Sequence, residues 1–536
     1  MAADSKAAVT DQEQEQEVLW TQLLGLTTVV TEAEEAGPSP QAVEVVLADR
    51  VYIDKTGLSS TIVSRLAGLA AFDNPEFHRA QGLRLSTYGK PQIISCAENY
   101  PRCLVLPRGC WDEAVELLRS VGVQVNGHDR RQGGVPIAVD FLGTLRAEQQ
   151  LAFASLAAHD FGVLAATTAF GKTVVAARLI AERGVNTLVL VHRQLLLDQW
   201  IERLSEFLSL DRSAIGQIGG SKRQPRGCID VAIIQSLCRQ GVVDDLVGKY
   251  GHLVVDECHH IPAASFAKVA RAARAKYVTG LSATTTRKDG NHPLIFMHCG
   301  TIRHQVDART QAQLRPFDHR VIVRTTDFRA SKVLEAEAYF SIQKLYAALA
   351  NDRARNEMIV TDVLEALARG RSPVVLTERR DHLGLLADLL NPQVRNLVVL
   401  RGGMGKKRQR EVAKQLATIP PDQERLLLAT RGYLGEGFDD ARLDTLFLTL
   451  PISWKGNVHQ YAGRLHRPHD QKTEVVIYDY ADLWVTMLGR MYDKRLQGYQ
   501  EIGYQVEGPL RGVPPVFWAS PPALATAPPF VQVDNV

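Results

Sequence analysis

The sequence predicts an α/β protein made of two tandem domains, each a parallel sheet flanked by helices, with a smaller α/β module ahead of them. Three observations carry that expectation. Apolar runs of strand length alternate with segments of helical periodicity from about Val135 to Val306, and again from about Ser372 to Asp482. That alternation is the pattern of strands joined by crossover helices. The stretch "ATTAFGKT", Ala166 to Thr173, lies between one such strand and one such helix, and a later apolar run ends in the adjacent carboxylates Asp256 and Glu257.

Residues 1–45 are acidic and contain "EEAGPSPQ", which predicts a flexible arm with one helix around "EVLWTQLLGL". Residues 46–134 read as the accessory module, with a strand at "PQIISCA", a helix at "CWDEAVELLRSVG" and a polar linker, "NGHDRRQGG", at its end. The first parallel-sheet domain is expected over 135–308, a helical connector over 309–368 and the second domain over 369–507. The tail, 508–536, is rich in Pro and Ala and is expected to be extended or disordered.

At 536 residues the chain can bury several cores, and 45% hydrophobic with 23% charged residues is ordinary for a globular protein. No apolar run reaches the length of a membrane span, and the polar, acidic start is unlike a signal peptide, so a cytoplasmic location with no membrane partner is expected. The net charge of +3 is small, although the acidic arm masks a more basic remainder. Cys96, Cys103 and Cys110 are regularly spaced, but none of the 7 cysteines stands in a Cys-x-x-Cys pair. Buried free thiols are expected there, not a metal site.

The chemistry begins at Ala166. "GVLAA" predicts a buried strand, and "TVVAARLIAERG" a helix capped by Gly184. The segment between them follows Gly-x-x-x-x-Gly-Lys-[Ser/Thr], with Ala166 in place of the first glycine. In such a loop, backbone N–H groups at a helix N-terminus face phosphates. The cradle would be Ala166, Thr167, Thr168, Ala169, Phe170 and Gly171, with Lys172 reaching the β and γ groups of ATP and Thr173 holding Mg²⁺. "HLVVDECHH" then places Asp256 and Glu257 at the C-terminal edge of the same sheet. Asp256 can hold Mg²⁺, and Glu257 can orient and deprotonate the attacking water. Cys258, His259 and His260 are consecutive and do not converge on one tetrahedral zinc. His259 and His260 are expected to couple the nucleotide to a domain interface.

The ordered set "LRAEQ", "ATTAFGKT", "LVLVHRQLLLDQW", "DVAIIQSL", "VVDECHH", "GLSATTTRKDG", "RGGMGKKRQR", "GYLGEGFDDARLDTLFL" and "QYAGRLHR" resembles the motifs of superfamily 2 DEAD/DEAH-box helicases, and within them the XPB-like and restriction-subunit-like branch. The resemblance runs from about Leu145 to Asp479. It implies two RecA-like domains that share one ATP site, with nucleic acid crossing both. By that resemblance Gln149 reads adenine, Ser282, Ala283 and Thr284 couple hydrolysis to movement, and Gly435, Gly437 and Asp439 line the site near the ribose. Gln460 would sense the γ-phosphate, and Arg464 and Arg467 would stabilise its departing charge. His192, Arg193, Gln235 and Ser236 occupy positions that touch a phosphate backbone.

"VHRQLLLDQW" and "QYAGRLHR" look like the DNA-directed branch, so DNA is the expected partner, with an RNA helicase or an ATP-gated DNA-binding scaffold in a defence or mobile-element complex as alternatives. No nuclease constellation is recognisable, so cutting would need a nuclease or another defence or repair partner. Some positions depart from the family pattern. Thr167, Thr168, Ala169 and Phe170 replace Pro-Thr-Gly-Ser, Thr285 follows "SAT" where proline is common, and Arg431 replaces a frequent glycine.

Overall fold

The computed structural model describes residues 41–220, 222–261, 264–284, 289–330, 342–402, 404–434, 440–452, 455–469 and 472–508. The expected helix at "EVLWTQLLGL", the tail and Thr285 lie outside the described residues. The chain forms two compact units, Met1–Asp307 and Ala308–Val536.

The first unit contains an 8-stranded sheet in the order Lys222–Gln224, Ile215–Gly219, Ile229–Ile233, Thr187–Val191, His252–Asp256, Tyr277–Ser282, Phe161–Ala165, Ile302–Gln305. Every neighbouring pair is parallel except the first. "FGVLA", "TLVLV" and "HLVVD" are buried at every residue, as strands covered on both faces must be. Their side chains alternate between two cores. Val163, Leu188, Leu190 and Val255 face one, and Leu164, Val189, Val191 and Val254 the other. Because the strands run parallel, the ends of Phe161–Ala165, Tyr277–Ser282 and His252–Asp256 emerge side by side at one edge.

The accessory module has a 5-stranded sheet, ordered Glu98–Asn99, Cys103–Pro107, Arg50–Asp54, Ala42–Leu47, Gln124–Asp129. Its first strand starts inside the stretch read as a flexible arm. The expected linker also supplies a strand: Gln124–Asp129 pairs in parallel with Ala42–Leu47 along its whole length. Its polar composition fits an edge position, where one row of backbone groups and much of the side-chain surface meet water. The helix Trp111–Ser120 forms as the sequence indicates, and "PQIISCA" contributes a shorter strand, Ile93–Ser95, paired with Ala71–Asp73. Cys103 and Cys110 are buried thiols.

One apolar cluster runs continuously from Val45 and Leu106 of the module to Val163 and Val255 of the large sheet. Arg108 fixes the join. Its buried guanidinium donates to the carbonyls of Ala270 (3.1 Å), Ala273 and Ala275 (3.5 Å). These lie at the end of the helix Ala264–Ala272, where carbonyls lack helical partners. Gly109 is required beside it, since a Cβ there would stand 2.0 Å from the Phe296 carbonyl oxygen.

The second unit is built on a 7-stranded sheet, ordered Leu397–Leu400, Leu426–Thr430, Pro373–Thr377, Thr445–Leu448, Glu474–Ala481, Asp318–Thr325, Gln505–Glu507. All pairs are parallel. Asp318–Thr325 falls in the stretch read as connector, yet it is an interior strand of this sheet. Its charged residues hid it, but Arg320 pairs with Glu474 and Glu507, and Arg324 with Asp362. The helices Ile342–Asn351 and Arg353–Ala368 follow, and the second packs Ile359, Val363 and Leu367 against Val375, Leu428 and Phe447. Two buried pairs, Arg355–Asp482 at 3.0 Å and Arg495–Asp479 at 2.7 Å, tie helices to the sheet edge.

Candidate functional site

The strand Phe161–Ala165 runs into the phosphate loop, and the helix Lys172–Arg183 leaves it, ending at Gly184 in the left-handed conformation. Gly171 caps the helix N-terminus with φ 93°, and a Cβ there would stand 2.4 Å from Gln149 Nε2. Both reasons demand glycine. Gln149 is buried and holds the loop from below: Nε2 donates to the Phe170 carbonyl at 2.8 Å, while Oε1 accepts from the Arg146 N–H at 3.0 Å. The Arg146 guanidinium donates to the same carbonyl at 2.6 Å. The residue expected to read adenine thus has both ends of its amide engaged within the protein, one on the loop and the other on the start of its own helix.

Phe170 is wholly buried, which anchors the loop in the core. Ala169, where the family pattern has glycine, sits at φ 68°. A non-glycine residue pays roughly 1–2 kcal/mol in that region. Lys172 Nζ donates to the carbonyls of Ala166 at 3.0 Å and Thr167 at 3.4 Å, so the ammonium lies folded over the loop. Thr168 is half-buried, and Thr173 stands in the first turn of the helix.

Asp256 ends its strand nearly buried. Its Oδ2 accepts a 2.7 Å hydrogen bond from the Trp200 indole, and its Oδ1 one of 3.0 Å from the Glu257 N–H. Trp200 comes from the helix Gln194–Phe207 and is itself buried. Glu257 leaves the strand at φ 47°, a second non-glycine residue in the left-handed region. Burial, and then the neighbouring Glu257, push the Asp256 carboxyl up to about 6, against the Trp200 hydrogen bond and the Lys172 charge. Burial also pushes Glu257 up, but the His259 hydrogen bond, Lys172 and the two histidines outweigh it and hold that carboxyl low, at about 2.

The residues expected to act in coupling are brought together here. His259 Nδ1 lies 3.2 Å from Glu257 Oε2 and 3.0 Å from Ser282 Oγ. Ser282 Oγ donates to the Thr284 carbonyl at 2.6 Å and accepts from its N–H at 3.1 Å, closing a turn around Ala283. On the other side, the Ser282 carbonyl accepts from Ala166 N–H at 2.9 Å. Ser282 therefore links the phosphate loop to the acidic turn.

The His260 ring lies 4.3 Å from that of His259 and 4.2 Å from that of His192. His192 is thus half-buried against a histidine, while Arg193 beside it is exposed at the start of its helix. Gln235 is exposed and Ser236 half-buried on the short helix Ile234–Leu237. It follows the strand next to Thr187–Val191, so these four residues share one sheet edge.

In the second unit, Gln460 and Arg464 stand one turn apart on the helix Lys455–Leu465, and Arg467 follows its end. Lys472 donates to the carbonyls of Leu465 and Arg467, each at 2.8 Å, and so fixes the turn that carries both arginines. Arg431 forms a 3.0 Å ion pair with Glu378. Gly435, Gly437 and Asp439 lie outside the described residues. The sequence reading missed Arg146, Trp200 and Lys472 as supports. Trp200 alone left a signal: an indole N–H on a helix face bound for the core needs an acceptor.

Thr173 and Asp256 offer hydroxyl and carboxylate oxygens, a donor set suited to Mg²⁺. The clustered acids carry negative charge that Lys172 offsets at both carboxylates and His259 and His260 at Glu257. The residues present fit that ion. No helix among the described residues is long and apolar enough to cross a membrane.

Residues 142–287 match the family model of the type III restriction enzyme res subunit. A protein of Acanthamoeba polyphaga mimivirus named "Putative ATP-dependent RNA helicase" is 24% identical over 379 residues, 68% of this chain and 70% of that protein. A helicase candidate of Invertebrate iridescent virus 6 is 24% identical over 386 residues, 68% of this chain and 83% of its own. The DNA 3'-5' helicase XPB of Mycobacterium tuberculosis is 30% identical over 208 residues, 36% of each protein. With the ordered motifs and two parallel-sheet domains of RecA type, these similarities make the chain a superfamily 2 helicase of the XPB-like and restriction-subunit-like kind, an ATP-hydrolysing enzyme.

Proposed function

We propose that this enzyme is an ATP-driven translocase or helicase whose track is DNA. The observation that carries the reading is the unbroken path from Glu257 through His259 to Ser282, and from His259 through His260 to His192. A change at the γ-phosphate alters the charge facing Glu257, and the first packed groups to respond are those bonded to the strand end beside it. Arg193, Gln235 and Ser236 at the same edge hold the nucleic-acid backbone, a contact that positions a strand without reading its sequence.

Gly171 and the loop N–H groups bind the phosphates, Lys172 neutralises them, and Glu257 orients and accepts a proton from the attacking water. Thr173 and Asp256 would hold Mg²⁺, which supplies charge for the phosphate oxygens. Gln460 senses the γ-phosphate, and Arg464 and Arg467 of the second unit act on its departing charge, a contribution worth roughly 10³–10⁵ in rate in related chemistry. Gln149 acts on the nucleotide through the loop it supports.

DNA is favoured because the Mycobacterium relative is named as a DNA helicase. The mimivirus relative, named as an RNA helicase, supports RNA as the second reading. Purified protein should separate strands or move directionally on DNA, with ATP turnover stimulated by DNA. Stimulation by RNA alone would overturn the choice of track, and turnover without movement would favour a nucleic-acid-gated scaffold.

A further inference from the structure

In the module, the helix Pro75–Gly82 is joined to the strand Ile93–Ser95 by a loop that presents large apolar side chains to water. Tyr88 is 96% exposed, Leu85 62%, Leu83 60% and Ile93 55%. The exposure does not come from a loose loop. Asn74 closes its base, donating from Nδ2 to the Pro91 carbonyl at 2.7 Å and from N–H to the Gln92 carbonyl at 2.8 Å. Ser86 Oγ accepts from Tyr88 N–H at 3.2 Å, and the Thr87 carbonyl accepts from Lys90 N–H at 3.0 Å. The backbone is hydrogen-bonded, and the ring points outward from it.

Charge and strain mark the same loop. From Phe77 to Ala97 there is no carboxylate, while Arg79, Arg84 and Lys90 are cationic. Arg84 ends the helix at φ 54°, with Leu85 N–H bonded back to the Ala80 carbonyl at 2.8 Å. That position usually belongs to glycine. An arginine kept there, exposed and at a conformational cost, is better explained by what it binds than by the helix end it closes.

We propose that the loop from Leu83 to Ile93 is a stacking platform for unpaired nucleotides, with a base on the Tyr88 ring and phosphates on Arg79, Arg84 and Lys90. The proposal rests on the reading that the enzyme acts on nucleic acid. A base presents a flat apolar face that Tyr88 matches whatever the sequence, and the absence of carboxylates suits a polyanion. Bases inside a duplex are already stacked and cannot reach the ring, so the platform serves single-stranded segments. Pro75, at the head of the helix, packs against Gly290, in the segment after the Ser282 to Thr284 turn.

The test is fluorescence anisotropy of the full chain with a labelled oligo(dT) strand and with a blunt duplex, each over a range of salt. Tyr88→Ala should weaken oligo(dT) binding about 5- to 150-fold, the range for loss of one base–aromatic stack, with little effect on the duplex, and Tyr88→Phe should retain it. Arg84→Gly suits the left-handed position and should leave the melting temperature unchanged or higher, while flattening the oligo(dT) salt slope by about 0.7. If wild type binds and both Tyr88→Ala and Arg84→Gly match it, the platform is overturned, and the surface falls to a protein partner. Equal weakening of single strand and duplex by Tyr88→Ala also overturns it. If wild type binds no nucleic acid, the functional reading fails with it.

Discussion

Replacing Trp200 by Phe removes one N–H from the first unit and leaves an aromatic ring in the core. The lost group is the donor to Asp256 Oδ2, 2.7 Å away in a buried site. A hydrogen bond to a charged group contributes about 1.5–3 kcal/mol, and 1.36 kcal/mol is a factor of ten. The Mg²⁺ concentration for half-maximal ATP turnover should therefore rise about 10- to 100-fold, the range seen when a group supporting a metal ligand is lost. Saturating Mg²⁺ should recover much of the rate.

The pH dependence should move in a defined direction. Asp256 already titrates high, at about 6, and the Trp200 bond opposes that rise. Without it the carboxyl keeps its proton to higher pH, the proton competes with the metal, and the acid limb of turnover shifts upward. Trp200→Phe also leaves a small void, so Leu204→Ala is the control, a cavity in the same core with no donor to the site. That variant should lose about 2–5 kcal/mol of stability with an unchanged Mg²⁺ midpoint. An unchanged midpoint in Trp200→Phe would refute the assignment of the indole as the support of Asp256.

Lys172→Ala should abolish turnover while the circular dichroism spectrum and melting cooperativity are retained; a normal rate would remove the loop from the mechanism. Glu257→Gln should bind ATP and keep ATP-strengthened DNA binding without hydrolysis, whereas Arg467→Ala should lose most of that strengthening. DNA-stimulated turnover at the wild-type rate in Arg467→Ala would exclude it from the γ-phosphate. Ionised Asp256 burdens the nucleotide-free fold: stability from this group is full below about pH 4 and lost as pH rises through about 6. Melts in chelator should thus show Asp256→Asn gaining on wild type from pH 4 to 7, and parallel curves would contradict the burial argument. Ala169→Gly trades a left-handed cost of roughly 1–2 kcal/mol for a chain-entropy cost of about 0.5–1 kcal/mol. It should stabilise the protein by up to about 1.5 kcal/mol, read from denaturant midpoints, and a marked loss would place Ala169 elsewhere in backbone space.

The parallel sheets were legible because strands buried on both faces must be apolar throughout, and "TLVLV" or "HLVVD" admits few other readings. Where a strand is half wet, that signal fails. Gln124–Asp129 is an edge strand and reads as a linker, and Asp318–Thr325 carries Arg320 and Arg324 whose ion partners lie far along the chain. The residues of the phosphate loop and the acidic turn follow from local spacing, but their supports do not. Trp200 and Asp256, or Lys472 and the Arg467 carbonyl, meet only after the chain has folded, and each pairing satisfies a polar group that burial would otherwise leave costly.

Local rules also fail where the chemistry is concentrated. Among the described residues, Arg84, Ala169, Gln240 and Glu257 are the non-glycine residues at positive φ, and two of these flank the proposed phosphate site. Glycine would remove the strain at either position, but with a different consequence at each. At 257 it would delete the carboxylate, so strain there accompanies the side chain proposed to orient the attacking water. At 169 no side-chain chemistry is at stake, and the gain from alanine must lie in the states it forbids. Glycine in the loop opens more backbone conformations in the absence of nucleotide, whereas Ala169, with Phe170 buried below and its carbonyl held by Gln149 and Arg146, restricts them. The loop is thus stiffened before ATP arrives, and Ser282, bonded to the Ala166 N–H, rests against a fixed support. In the proposed mechanism the coupling element can report the γ-phosphate only if the loop beside it does not absorb the change, and on that proposal the departure from glycine at 169 has a physical reason.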